Sequence, residues 1–152
     1  MTTLVIDTNI FTLTAKPDDS GWEESHELME WIGLDRFCSY ILAVDEKGLI
    51  DEEYEEKAKE GYPDSLGSFV LARLADNNKI VSLPGKSYPC FKNLPSQLDK
   101  HDRAFLMVAC QTQEHILISQ DTGFHEDNSC LNSLKSNPGL KIYWVWEAKA
   151  NI

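Results

Sequence analysis

The sequence predicts an α/β fold built on a central, mostly parallel β-sheet flanked by helices. Two observations carry this expectation. Short runs rich in apolar and β-branched residues recur along the chain, and segments with apolar residues at helical spacing separate them. The 152 residues suit a single domain over 1–152 with a substantial core, and no internal repeat or low-complexity tract divides them.

Leu4-Val5-Ile6 is a short apolar run ending at Asp7, as expected of a central strand buried on both faces. Thr8 and Asn9 follow as helix-start residues. Trp22, Leu28, Met29, Trp31 and Ile32 predict a helix over Gly21 to Gly33, and RFCSYILAVD returns to strand character. Asp45-Glu46-Lys47-Gly48 reads as a turn. LIDEEYEEKAKEG is rich in helix formers, with Ile50, Tyr54 and Ala58 on one face and Gly61 as its stop. SLGSFVLARLAD predicts a further helix and KIVSL a strand. Pro84, Pro89 and Pro95 then break up the stretch to Leu98, which reads as an irregular surface connection. DKHDRAFLMVACQT has the periodicity of a packed helix, with Asp99 near its cap and Phe105, Val108 and Ala109 in the core. HILISQD and KIYWV complete the strands.

Composition bounds the functions available. The formal charge is -11, from 14 Lys and Arg against 25 Asp and Glu, and a surface of that sign repels nucleic acid in general. The acidity is local, however. Asp18 to Asp64 holds 16 acids and 4 bases, and the rest of the chain holds 9 acids and 10 bases. A nucleic-acid substrate therefore has a nearly neutral side by which to approach, including Lys79, Lys86, Lys92, Lys100 and Arg103. No apolar run approaches the roughly 20 residues that span a bilayer. The N-terminus lacks the basic start of a secretory signal, so a cytoplasmic location with no membrane partner is expected. Cys38, Cys90, Cys110 and Cys130 are far apart, without the close Cys or His spacing of a zinc site, and are expected to be reduced and mostly buried.

The chemistry concentrates in carboxylates. Asp7 and Asp121 each sit just after an apolar strand and before a helix start, and in open parallel sheets ligands bind outside the carboxyl ends of strands. Asp102, one turn into the helix before the Asp121 strand, can face the same crevice. Crowded carboxylates repel unless a cation neutralises them, and oxygen ligands without His or Cys select Mg²⁺ or Mn²⁺. Taken singly, each of these residues reads better as a helix cap or turn former, and it is their combination that points to a site.

Together, LVIDTNIF, DKHDRAFLMVACQ and ILISQDTGF resemble the PIN-domain family of metal-dependent nucleases, in order and spacing over nearly the whole chain. The resemblance implies a single-domain, three-layer PIN-like fold whose Asp7 and Asp121 strands lie side by side. It implies that Asp7, Asp102 and Asp121 are catalytic metal ligands, with Asn9 and Ser119 supporting them. DEKGLIDEEY is similar to a stretch of a bacterial branch of PIN-like proteins, which favours Glu53 as a fourth acid and leaves Asp45 as the second choice. The other glutamates nearby read as a solvated helix face.

The implied activity is phosphodiester hydrolysis, with one or two Mg²⁺ or Mn²⁺ ions activating water and stabilising the leaving oxygen. Single-stranded RNA is the substrate on family grounds, but no aromatic platform or base-reading motif is legible. Two alternatives stand beside this reading. One is a non-catalytic PIN-like scaffold acting through a protein partner or a second copy of itself, and the other is a metal-dependent phosphatase. His101, His115 and His125 flank the motifs without a Ser or Cys partner and are expected at the surface or behind the ligands. No phosphate loop or dinucleotide fingerprint is present.

Overall fold

The computed structural model describes residues 1–34, 39–61 and 64–152. Five strands, β1 (Thr2–Ile6), β2 (Tyr40–Asp45), β3 (Ile80–Leu83), β4 (Ile116–Ile118) and β5 (Lys141–Tyr143), form one sheet. Their order is β3-β2-β1-β4-β5, and every pair is parallel. The chain runs outward from β1 through β2 to β3, then crosses back to place β4 on the other side of β1. The strand order therefore reverses between β1 and β4, and at such a switch point the loops leaving the two strands part and open a crevice.

The helices are α1 (Thr8–Leu13), α2 (Trp22–Gly33), α3 (Leu49–Gly61), α4 (Leu66–Asp76), α5 (Lys100–Ala109), α6 (Ser129–Ser136) and α7 (Val145–Asn151). One group joins α2 to α1, α4 and α7, while α3 packs on α5 and α5 lies against β1, β2 and β4. The central strands are apolar on both faces because both are covered: Leu4, Val5, Ile6, Leu117 and Ile118 are almost wholly buried. Phe11, Tyr54 and Phe105 make a chain of aromatic contacts with centroids 5.3 and 6.2 Å apart, tying α1, α3 and α5 together beside the end of β1.

Turn chemistry sets the entry to α3. Gly48 has φ +82°, a conformation that costs glycine little, and it lets the chain reverse after β2. The Asp45 carboxylate accepts from the Leu49 and Ile50 amides at 3.1 and 2.8 Å, satisfying the first donors of α3.

Three expectations are corrected. The stretch from Pro84 to Leu98 is not a surface connection throughout: a 3₁₀ turn at Pro89–Asn93 and the residues after it bury Phe91, Leu94 and Leu98. KIYWV is strand only to Tyr143, because Trp144 stands at the N-cap of α7 and Val145 is its first residue. The expectation of four reduced thiols also fails, because Cys90 and Cys130 form a disulfide across a sequence separation of 40. The 3₁₀ turn packs on α6, which brings the two Cα atoms to 5.2 Å. Cys110 is free and buried, and Cys38 lies outside the described residues. Among the described residues no helix is long and apolar enough to cross a membrane.

Candidate metal centre

Asp7 follows β1 directly and occupies the N-cap position of α1, yet its side chain makes no capping bond there. Its carboxylate is turned to the other side of the strand-order reversal instead. Ser119 Oγ, just past β4, donates to Asp7 Oδ2 at 2.6 Å, and Asn9 Nδ2 donates to the same oxygen at 3.3 Å. Neither bond uses Oδ1. The Asp121 amide donates to Ser119 Oγ at 2.9 Å, and the Gln120 amide donates to Asn9 Oδ1 at 3.2 Å. The ends of β1 and β4 are thus laced together around Asp7, which is 3% exposed.

Glu53 arrives from α3. Its neighbour Tyr54 is buried and donates its hydroxyl to the Ile6 carbonyl at the end of β1, which fixes α3 against that strand and brings Glu53 over Asp7. Asp102 arrives from the first turn of α5, where it and Asp99 form a reciprocal capping box: Asp102 Oδ2 accepts from the Asp99 amide at 3.0 Å. One ligand atom each from Asp7, Glu53 and Asp102 lie within 4.8 Å of one another.

Asp121 lines the same cleft but stands outside that trio. Its Oδ1 accepts from the Gly123 amide at 2.9 Å and from Gln97 Nε2 at 3.4 Å. Asp45 is not in the cleft at all: its carboxylate is spent on capping α3. Of the two choices for the fourth acid, only Glu53 lies beside Asp7.

The cleft has a volume of about 130 Å³ and is also lined by Thr8, Thr12 and Lys57. Sequence reasoning singled out neither Thr12 nor Lys57, and it gave Thr8 only a place at the helix start. Lys57 is legible in retrospect, because it stands four residues after Glu53 and so on the same face of α3. Its Nζ also pairs with Glu60 at 3.2 Å. A wider depression of about 470 Å³ on α4, lined by residues from Phe69 to Asn77, contains no comparable cluster of ligating groups.

The electrostatics are those of crowded, partly buried acids. Burial pushes Asp7 up to about 7, the Ser119 hydrogen bond opposes this, and Glu53, Asp102 and Asp121 push further in the same direction. Burial likewise raises Asp102 to about 7, against the Asp99 amide bond. Glu53 is raised by burial, while His101 favours its charged form. The Thr8 hydroxyl also favours charged Glu53, yet Thr8 Oγ1 is buried with no partner at hydrogen-bonding geometry. Hard oxygen donors that resist ionisation when left to themselves, beside an orphaned hydroxyl, fit a small divalent cation.

Of the three histidines, His101 lies behind Glu53 and near Glu52 and Asp99, with ring-to-carboxylate distances of 3.7 and 4.0 Å. His125 Nε2 bonds the Ser119 carbonyl at 2.7 Å, and burial holds its pKa below the usual imidazole value. His115 packs by Ala109, away from the cleft.

No family model and no curated protein matches this chain. Among solved structures, VapBC2 from Rickettsia felis bound to a DNA fragment from their promoter is similar over 94% of this chain and 98% of its own, at 11% identity and a TM-score of 0.44. At that distance the likeness says nothing about activity.

Proposed function

We propose that this chain is a PIN-like, Mg²⁺- or Mn²⁺-dependent nuclease that hydrolyses phosphodiester bonds, with single-stranded RNA as its substrate. The observation that carries the reading is the convergence of Asp7, Glu53 and Asp102 from three separate elements at the strand-order reversal. A bare cluster of this kind costs folding energy, and a divalent ion is what makes it useful.

Asp7, Glu53 and Asp102 would hold the ion, with Asp121 at the rim contributing charge. When bound, the ion supplies an activated water and neutralises charge on the phosphate. The protein's own groups do the rest. Ser119 and Asn9 fix the Asp7 rotamer through Oδ2, so that Oδ1 is presented in one orientation. Tyr54 sets the height of Glu53 above it by anchoring α3 to β1. Lys57 gives the cleft a cation able to bind a non-bridging phosphate oxygen. That combination, acids for a metal and a lysine for an anion, suits an anionic ester better than a neutral substrate.

The test is a panel of single- and double-stranded RNA and DNA, incubated with Mg²⁺, Mn²⁺ or chelator, beside Asp102→Asn and a small phosphomonoester. Metal-dependent cleavage of single-stranded RNA that disappears in Asp102→Asn supports the reading. Turnover of the phosphomonoester alone would make the protein a phosphatase. No turnover of any substrate would favour a scaffold that works through a protein partner, for which the acidic Asp18 to Asp64 segment offers a surface.

A further inference from the structure

The three-residue step from Ser119 to Asp121 does more than complete the cleft. His125, held to the Ser119 carbonyl at 2.7 Å, stacks on Trp144 with ring centroids 3.5 Å apart and planes 7° from parallel. Trp144 stacks in turn on Trp146, at 4.9 Å and 12°. The Val145 amide donates to Gln120 Oε1 at 2.7 Å, so the tryptophan segment is fastened to the residue between Ser119 and Asp121. A column of three near-parallel rings therefore starts one residue from the carboxylate cluster. Trp146 is 50% exposed, so the column ends on an open ring.

We infer that the His125–Trp144–Trp146 column is a stacking platform for an unpaired nucleobase of the strand whose backbone enters the acidic cleft. This rests on the nuclease reading and names the feature that would select single strands. Two observations favour a nucleobase as the occupant. The rings are already near-parallel, face to face at His125–Trp144 and offset-stacked at Trp144–Trp146, so a flat heterocycle can extend the stack, and every base has a π-face. The column is fastened through Ser119 and Gln120 to the same strand end that bears the cleft, so a base stacked on it and a phosphate at the acids can belong to one strand. A duplex has no exposed base face to offer, so the platform discriminates against it.

The experiment is fluorescence anisotropy of labelled, unstructured RNA and DNA oligomers of one sequence, and of an abasic oligomer of equal length, titrated with protein in chelator. Stacking by one base is worth about 1–3 kcal/mol, which corresponds to roughly 5–150-fold in Kd. Trp146→Ala should weaken binding of the base-containing oligomers at least about fivefold, Trp146→Phe should recover most of it, and the abasic oligomer should bind wild type about as weakly as Trp146→Ala binds the intact one. A thermal melt checks that the variants fold, and the abasic comparison needs no variant. Equal binding of abasic and intact oligomers, or an unaffected Trp146→Ala, would overturn the platform. The same proteins assayed for cleavage in Mn²⁺ separate the two readings. Base-dependent binding without cleavage leaves the platform and removes the nuclease. Cleavage with no Trp146 effect does the reverse.

Discussion

Replacing Asp7 by Asn should stabilise the metal-free protein, and the size of the effect can be worked from the site. The Asp7 carboxyl is raised from 3.8 to about 7. Because the folded-state value lies above the unfolded one, the folded state holds its proton longer. The resulting penalty is absent below about pH 4, grows between 4 and 7, and is fully present above 7. At 1.36 kcal/mol per unit, this amounts to about 4 kcal/mol at pH 8, an upper figure because the site can relax. For a domain of this size it corresponds to a rise in Tm of ~5–15 °C. Asn retains an oxygen for the Ser119 hydroxyl but never ionises. Thermal melts in chelator at fixed ionic strength, from pH 4.5 to 8, are the assay. The variant and wild type should lie within about 1 kcal/mol of each other at pH 4.5 and diverge progressively toward pH 8, with the variant higher. Added Mn²⁺ should then narrow the gap, since wild type gains about 2.7 kcal/mol at 100 times the dissociation constant and the variant gains less. A variant that melts below wild type in chelator at pH 8 would refute the reasoning and make Asp7 a net structural stabiliser.

Further predictions concern the neighbours of the site. Glu53→Gln should reduce metal-dependent cleavage by about 100-fold or more, as expected for loss of electrostatic catalysis, whereas Glu56→Gln, three residues on, should change it little. Asp45→Asn should leave cleavage intact, and Asp45→Ala should cost about 1–2 kcal/mol in a denaturant melt, because Asp45 is a helix cap. A damaging Asp45→Asn with harmless Glu53→Gln would reverse these assignments. Gly67→Ala should destabilise by about 1–3 kcal/mol, since a Cβ there would lie 2.5 Å from the Phe11 carbonyl oxygen and 2.9 Å from Thr14 Oγ1. A neutral result would mean that α1 and α4 separate easily.

What was legible in the sequence follows from how each signal arises. Leu4-Val5-Ile6 reads as a strand because both faces of the sheet are covered, leaving no polar alternation to confuse it. The α5 helix reads well because Asp99 caps it and its apolar residues keep helical spacing. By contrast, α6 is short and its SCLNSLKS sequence mixes Ser and Asn with leucines. Trp144 and Val145 look like strand residues although Trp144 caps α7 and Val145 begins it, and this concealed the ring column. The Cys90–Cys130 bond was illegible because packing of the 3₁₀ turn on α6 is a tertiary event.

Within the site, Asp7, Asp102 and Asp121 stand out by position after strands or in a helix's first turn. Which acid of the DEKGLIDEEY stretch would join them depends on the phase of α3 and on Tyr54 reaching Ile6. That phase turns Glu53 inward, leaves Asp45 at the helix end, and brings Lys57 to the cleft without any local motif. Asp121's distance from the trio was equally invisible, because it follows from the short turn its carboxylate makes with Gly123.

Whether Asp7, Glu53 and Asp102 form a metal centre is tested most directly by calorimetric titration of Mn²⁺ into the metal-free protein and into an Asp7→Asn/Glu53→Gln double variant, in the same buffer and salt. Wild type should show saturable binding with release of protons near pH 7, since the empty site holds Asp7 and Asp102 up to about 7 and the ion needs their charged forms. The double variant should lose both the binding and the proton release. Identical heats from the two proteins would place the ions away from these three carboxylates and contradict the metal centre.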